Sequence, residues 1–253
     1  MNRYLALIFL CVLLLNQNIS AQDKVRVVVT SSWTAAYAQL AGIDDYEMLA
    51  PSDMQHPSEY EIQIEDIRKL KNADLIICGG YETMMEKIRT GLQIEPEKIL
   101  QIQTDYNLKH INNSVRTIAN KVKTSEQADK NLSRLNNLFE ESKARIKESG
   151  ISEVPVISQF FMKALSDELE LKVSGIFGPR QLEAFDIQDM MKLDFELILD
   201  NAHNPSAQPL VETRKDARIA YLINFPGKGS TESLEDVVRY NVDMIIEAYT
   251  AGK

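Results

Sequence analysis

The chain has 253 residues and carries 28 Lys and Arg against 37 Asp and Glu, a formal net charge of −9. An acid balance of this size disfavours nucleic acid, whose phosphates need basic partners, and is compatible with attracting cations. With two cysteines in all, Cys11 and Cys78, the chain is no disulfide-stapled scaffold and must rely on a packed core.

The N-terminus reads as an export signal. Arg3 supplies the positive start, "LALIFLCVLLL" a short apolar core, and "ISA" a small-residue cleavage site after Ala21. The run is shorter than the ~18–20 residues a membrane span needs. A mature chain starting near Gln22 and located in the periplasm is therefore expected. Cleavage would leave Cys78 as the single thiol, and its place after "ADLII" predicts a buried strand residue rather than a nucleophile.

Two segments open alike, "KVRVVVTSSWTAAYAQLAG" at 24–42 and "VPVISQFFMKALSDELELKVSG" at 154–175. Each is a short β-branched run, then Ser or Thr, then apolar residues at helical spacing, the pattern of a βα unit. Each is followed by a matching helix-to-strand segment, "KLKNADLIICGGYE" at 69–82 and "MMKLDFELILDNAHN" at 190–204. The expectation is an α/β fold with two similar lobes built on parallel sheets, residues 22–111 and 150–253.

Residues 112–149 between them contain neither Pro nor Gly. Val115, Ile118, Ala119, Val122, Leu132, Leu135, Leu138 and Phe139 keep a helical period, which predicts one long spine helix, with a break near Ser125 as its variant. A two-helix excursion packed on one lobe is the alternative. Gly150 supplies the stop.

This order of elements resembles the ABC-transporter solute-binding proteins that capture zinc or manganese outside the cytoplasmic membrane. The similar stretches are "VRVVVTSSW", "PSEYEIQIEDIRKLKNADLIICGGYE", the spine, and the closing "SLEDVVRYNVDMIIEAY" at 233–249. The resemblance implies a cleft between the lobes, a set of three His and one acid as ligands, and a membrane permease as partner of a monomeric carrier. The family's ligand positions fall on Ser58, on Asp105 to Asn107, near Gln159, and around Asp200 and Asn201. The three histidines of this chain, His56, His110 and His203, each lie within about three positions of one of those places.

The candidate metal ligands for Zn or Mn are therefore His56, His110, His203 and Asp200. Glu59, Asn107 and Gln159 are candidates for further ligands or for groups that orient an imidazole. Ser32, Trp33 and Tyr81 are candidates to line the cleft. Each has a structural alternative: His56 as an exposed loop residue beside a Ser58 to Glu61 capping box, His110 as a helix-start residue, His203 as a turn residue before Pro205, and Trp33 and Tyr81 as packing. No Gly-x-Ser-x-Gly elbow, His-Glu-x-x-His pair or Gly-rich phosphate loop is present, so an enzyme is not expected. The rival functions are the same fold holding a corrinoid, haem or iron chelate, or an exported interaction protein.

Overall fold

The computed structural model describes residues 25–251, so the segment expected to be an export signal lies outside the described residues. The first lobe begins with β1 (Val27–Val29), α1 (Ser32–Leu40), β2 (Glu47–Met48) and α2 (Ile64–Asn72). It continues with β3 (Leu75–Cys78), α3 (Met84–Gly91) and β4 (Ile99–Gln101). The second lobe contains β5 (Val156–Gln159), α6 (Lys163–Glu168), β6 (Val173–Phe177), α7 (Ala184–Met190), β7 (Leu197–Asn201), α8 (Gln208–Thr213), β8 (Arg218–Leu222) and α9 (Leu234–Thr250). Between them run α4 (Leu108–Val122) and α5 (Ser125–Glu148).

Both sheets are four-stranded and parallel, and they repeat one plan: β2-β1-β3-β4 in the first lobe and β6-β5-β7-β8 in the second. The central strands β1, β3, β5 and β7 are buried along their whole length, as expected for parallel strands covered on both faces. Strand order reverses between β1 and β3 and again between β5 and β7. The crevice outside the carboxyl ends of such a pair is where open α/β sheets hold ligands. The segments at these two points are residues 30–31 leading into α1 and 79–83 in one lobe, and the 3₁₀ turn at 160–162 and residues 202–207 in the other.

The spine is two helices, with the break at the place the sequence offered as its variant, just before Ser125. Lys123 takes a left-handed backbone (φ 63°) and ends α4, and α5 starts two residues later. Helix α4 packs on α1 of the first lobe. Helix α5 touches α4 and α1 on one side and α9 of the second lobe on the other, and α1 also touches α9 directly. Its buried stripe is Ala128, Leu132, Leu135, Leu138, Phe139 and Ile146. Asn131 adds a polar tie, donating from its Nδ2 to the carbonyls of Gln39 (3.2 Å) and Leu40 (3.1 Å) at the end of α1. One hydrophobic core runs through both lobes and this spine, from Val27 and Tyr37 through Phe139 to Leu199 and Ile245.

One local prediction changes, and that for Cys78 holds. No capping box forms at Ser58, because residues Pro57–Glu59 make a single 3₁₀ turn. The box sits later, where Gln63 and Asp66 cap α2. Cys78 is buried at the end of β3, where burial pushes its thiol pKa up to about 12. No helix among the described residues is long and apolar enough to cross a membrane.

Candidate functional site

The carboxyl-terminal strand ends of the two lobes meet through specific contacts. Ser32 Oγ donates to the Pro226 carbonyl at 2.7 Å, and Tyr106 Oη donates to the Asn224 carbonyl at 3.1 Å. Gln55 Nε2 donates to the His203 carbonyl at 3.1 Å. Trp33 packs on Tyr106 and Phe225, and Phe225 stacks on His203 with ring centroids 3.8 Å apart.

His203, expected in an open loop, is buried in this junction. Its Nδ1 lies 2.7 Å from Asn224 Oδ1 and 3.4 Å from the Asn224 backbone N–H; donation across the shorter contact puts the hydrogen on Nδ1 and leaves the Nε2 lone pair, the form in which imidazole binds metals. Burial lowers its pKa to about 4. The Asn224 side chain opposes that shift, while the nearby charges of Lys228 and His56 reinforce it. His203 therefore remains neutral across the physiological range. It lines a small cavity of about 180 Å³ with Ser52, Asp53, Met54, Gln55, Gly227 and Lys228.

His56 is exposed, just ahead of the 3₁₀ turn and next to Gln55, whose side chain reaches the His203 carbonyl. His110 lies in the first turn of α4 and pairs through Nδ1 with Asp105 Oδ2 at 2.7 Å. Asn107, which precedes that helix, caps it by accepting from the backbone N–H groups of Lys109 and His110. Glu59 is exposed within the 3₁₀ turn. Asp200 is fully buried at the end of β7, and its two oxygens accept from the backbone N–H groups of Asn201, Ser206 and Ala207. Burial, only partly offset by those donors, keeps its pKa above the ordinary carboxylate value.

Among the described residues no three His, Cys, Asp or Glu side chains come together in a way that could hold a metal ion. The structure thus brings Gln55, the neighbour of His56, onto the His203 carbonyl and leaves His110 engaged with Asp105. It uses Asp200 as a loop-organising acceptor.

Of the expected cleft-lining residues, Ser32 ties the lobes, Trp33 is buried in the core and Tyr81 is half-exposed, with its hydroxyl 3.3 Å from that of Thr104. Glu82 and Asn224 were not singled out from the sequence. Glu82 is buried beyond β3 and accepts from Thr30 Oγ1 and from the N–H groups of Gly79 (2.8 Å) and Gly80 (2.7 Å). The glycine pair before it was the only signal, because it exposes two adjacent N–H groups. Asn224 follows "AYLI" at the end of β8, and a strand-end position was its signal.

No family model matches the chain. Among solved structures, the SBP FpvC of Pseudomonas aeruginosa in complex with Ni²⁺ superimposes with a TM-score of 0.71 at 17% identity, covering 91% of this chain and 98% of that one. The Mn-bound periplasmic metal binding protein of Candidatus Liberibacter asiaticus gives a TM-score of 0.65 at 18% identity, covering 88% and 99%. The chain has the fold of these solute-binding proteins. Two curated relatives, uncharacterized glycosyltransferases of Rickettsia conorii and Rickettsia felis, are 32% identical over 89 and 92 residues. Those matches take in 33% and 34% of this chain, which spans only 15% of each relative's length.

Proposed function

We propose that this chain is an exported solute-binding protein that takes up a divalent transition-metal species between its two lobes and hands it to a membrane permease. The observation that carries the reading is His203 itself, an imidazole buried at the lobe junction with its Nδ1 held 2.7 Å from Asn224 Oδ1 and its Nε2 left for a ligand. Asn224 plays the part of the acceptor that a metal-binding imidazole needs on its other nitrogen. The fold shared with proteins solved with Ni²⁺ and Mn²⁺ supports it. Zinc or manganese as cargo, an ABC importer as partner, a periplasmic location and a monomeric state complete the proposal. Residues 22–111 and 150–253 would be the lobes and 112–149 the connecting spine. His110 and Asp200 would join the site only after giving up their present partners.

A carrier is favoured over an enzyme because the carboxylates of Glu82 and Asp200 are saturated by neighbouring donors, and neither is free for proton transfer. Native protein analysed for bound metal, then titrated calorimetrically as apo protein with Zn²⁺, Mn²⁺ and Ni²⁺, tests the reading. Micromolar or tighter binding, weakened at least about tenfold by His203→Gln together with His56→Ala, is expected. Absence of any binding would remove the metal from the proposal.

A further inference from the structure

His203 shares its cavity with Asp53 and Met54, two residues of the first lobe that lie outside the family's ligand positions. They sit on a turn that the Met54 N–H closes onto the Pro51 carbonyl at 3.1 Å. Of residues 51–56, Met54 alone is half-buried and the others are exposed. Two contacts clamp this turn to the second lobe. Gln55 Nε2 donates to the His203 carbonyl at 3.1 Å, and Gly227 lies so close that a Cβ on it would meet the Ser52 carbonyl oxygen at 1.8 Å.

Three metal donors of different kinds therefore border one space. His203 Nε2 takes no hydrogen bond among the described residues, and it is not one of the unpartnered atoms sealed from solvent, which are Trp33 Nε1, Gln39 Oε1, Gln159 Nε2 and Ser206 Oγ, so it opens onto the cavity. The Asp53 carboxylate has no hydrogen bond or ion pair among the described residues, unlike Glu82, Asp105 and Asp200, whose oxygens are taken. Met54 adds a thioether, a neutral and polarizable donor. Lys228 also lines the cavity and donates from Nζ to the Ala202 carbonyl at 3.0 Å. Its charge offsets that of Asp53, so selection among ions falls to the donor atoms and not to net charge. The volume, about 180 Å³, is below the roughly 300–1,000 Å³ of pockets that enclose organic ligands, and at about 30 Å³ per water it suits an ion with a few waters.

We infer that the ion is held by His203 Nε2, the Asp53 carboxylate and the Met54 sulfur, with water in a fourth position, and that Met54 makes the site select zinc over manganese. The inference rests on the metal reading above and narrows its cargo. A carboxylate suits manganese and an imidazole suits zinc, while a thioether favours softer ions such as zinc and copper(I) and offers manganese little. Three protein ligands and one open position also match a tetrahedral zinc ion that has to be given up again.

The test titrates protein lacking residues 1–21 with Zn²⁺ and with Mn²⁺, repeats this for Met54→Leu, Asp53→Asn and His203→Gln, and records X-ray absorption of the zinc-loaded samples. Leucine keeps the volume of methionine, a swap that packed sites tolerate, so Met54→Leu removes the sulfur and leaves the fold. Expected are zinc binding at least about tenfold tighter than manganese binding, a fall of that ratio by about tenfold in Met54→Leu, weaker binding of both ions in Asp53→Asn, and a sulfur neighbour of the zinc that Met54→Leu removes. An unchanged ratio, or a zinc spectrum without sulfur, overturns the role of Met54, and the metal reading stands if His203→Gln still weakens binding. Binding that neither Asp53→Asn nor His203→Gln weakens places the ion elsewhere and overturns the site. No binding of either ion overturns the inference and the metal reading together.

Discussion

Replacing Gly227 by Ala puts a methyl group into the seam between the lobes. Gly227 has φ 116°, and a Cβ there would sit 1.8 Å from the carbonyl oxygen of Ser52 and 2.8 Å from its carbon. Both opposing atoms are backbone, so no rotamer change relieves the contact, and one loop must retreat by more than 1 Å for an ordinary carbon to oxygen distance, on the order of 3.3 Å. Gly150, the stop of the spine helix, is the control: φ 77°, with nothing within 4 Å of its Cβ position. Gly150→Ala pays only the left-handed strain of about 1–2 kcal/mol, partly offset by about 0.4–1 kcal/mol from a stiffer unfolded chain. Gly227→Ala adds about 1–3 kcal/mol of overpacking, for a total near 3 kcal/mol. In a chain of this size that lowers Tm by about 6–12 °C, against about 3 °C or less for Gly150→Ala. The single tryptophan, Trp33, packs on Phe225 two residues from Gly227, so its emission should shift to the red in Gly227→Ala only. Thermal unfolding and fluorescence of both variants decide it. Equal losses with an unmoved emission maximum would refute the closeness of the lobes at this seam.

Three further outcomes follow from buried groups. The pKa of His203 falls from 6.5 to about 4, so the unfolded chain takes up a proton that the folded one refuses; stability is complete above about pH 6.5 and declines as pH falls toward 4, by up to ~3 kcal/mol. Urea titrations of metal-free protein across that range should show this slope, and His203→Gln should flatten it. Asn241 is fully buried and holds Ile223 at the end of β8 from both sides, Oδ1 accepting from its N–H at 2.9 Å and Nδ2 donating to its carbonyl at 2.7 Å. Asn241→Leu strands both groups, and a loss of about 2–4 kcal/mol by urea denaturation is expected; a loss below about 1 kcal/mol would contradict the pairing. Cys78, buried with its pKa pushed up to about 12, should stay silent toward a thiol reagent in native protein lacking residues 1–21 and react fully in denaturant.

Much of the architecture was legible because it is written in local patterns. "VVV", "LIIC", "VISQ" and "LILDN" are apolar runs flanked by helical periods, and that alternation permits little except parallel sheets with helices on both faces. Gly150 announced the end of the spine for an equally local reason, its left-handed backbone. The break fell within two residues of the place expected near Ser125, although a lysine at φ 63° carries no residue-type signature of its own. The ligand positions were less legible still. His203 stood in what read as a polar loop, yet it is buried, because Phe225 and Gln55, 22 and 148 positions away in the chain, come to cover it. Asp200 looked like an available acid, and the fold spends it on three backbone N–H groups of its own loop.

By itself, then, the sequence determined the two-lobed α/β plan, the existence of a helical spine and the burial of Cys78, all of which follow from periodicity within a few residues. Only the tertiary structure decided which acids keep a free oxygen, which imidazole remains neutral and which donors stay unpaired. Those properties depend on groups brought together from opposite lobes, and hydrogen-bond saturation is set by the last partner to arrive.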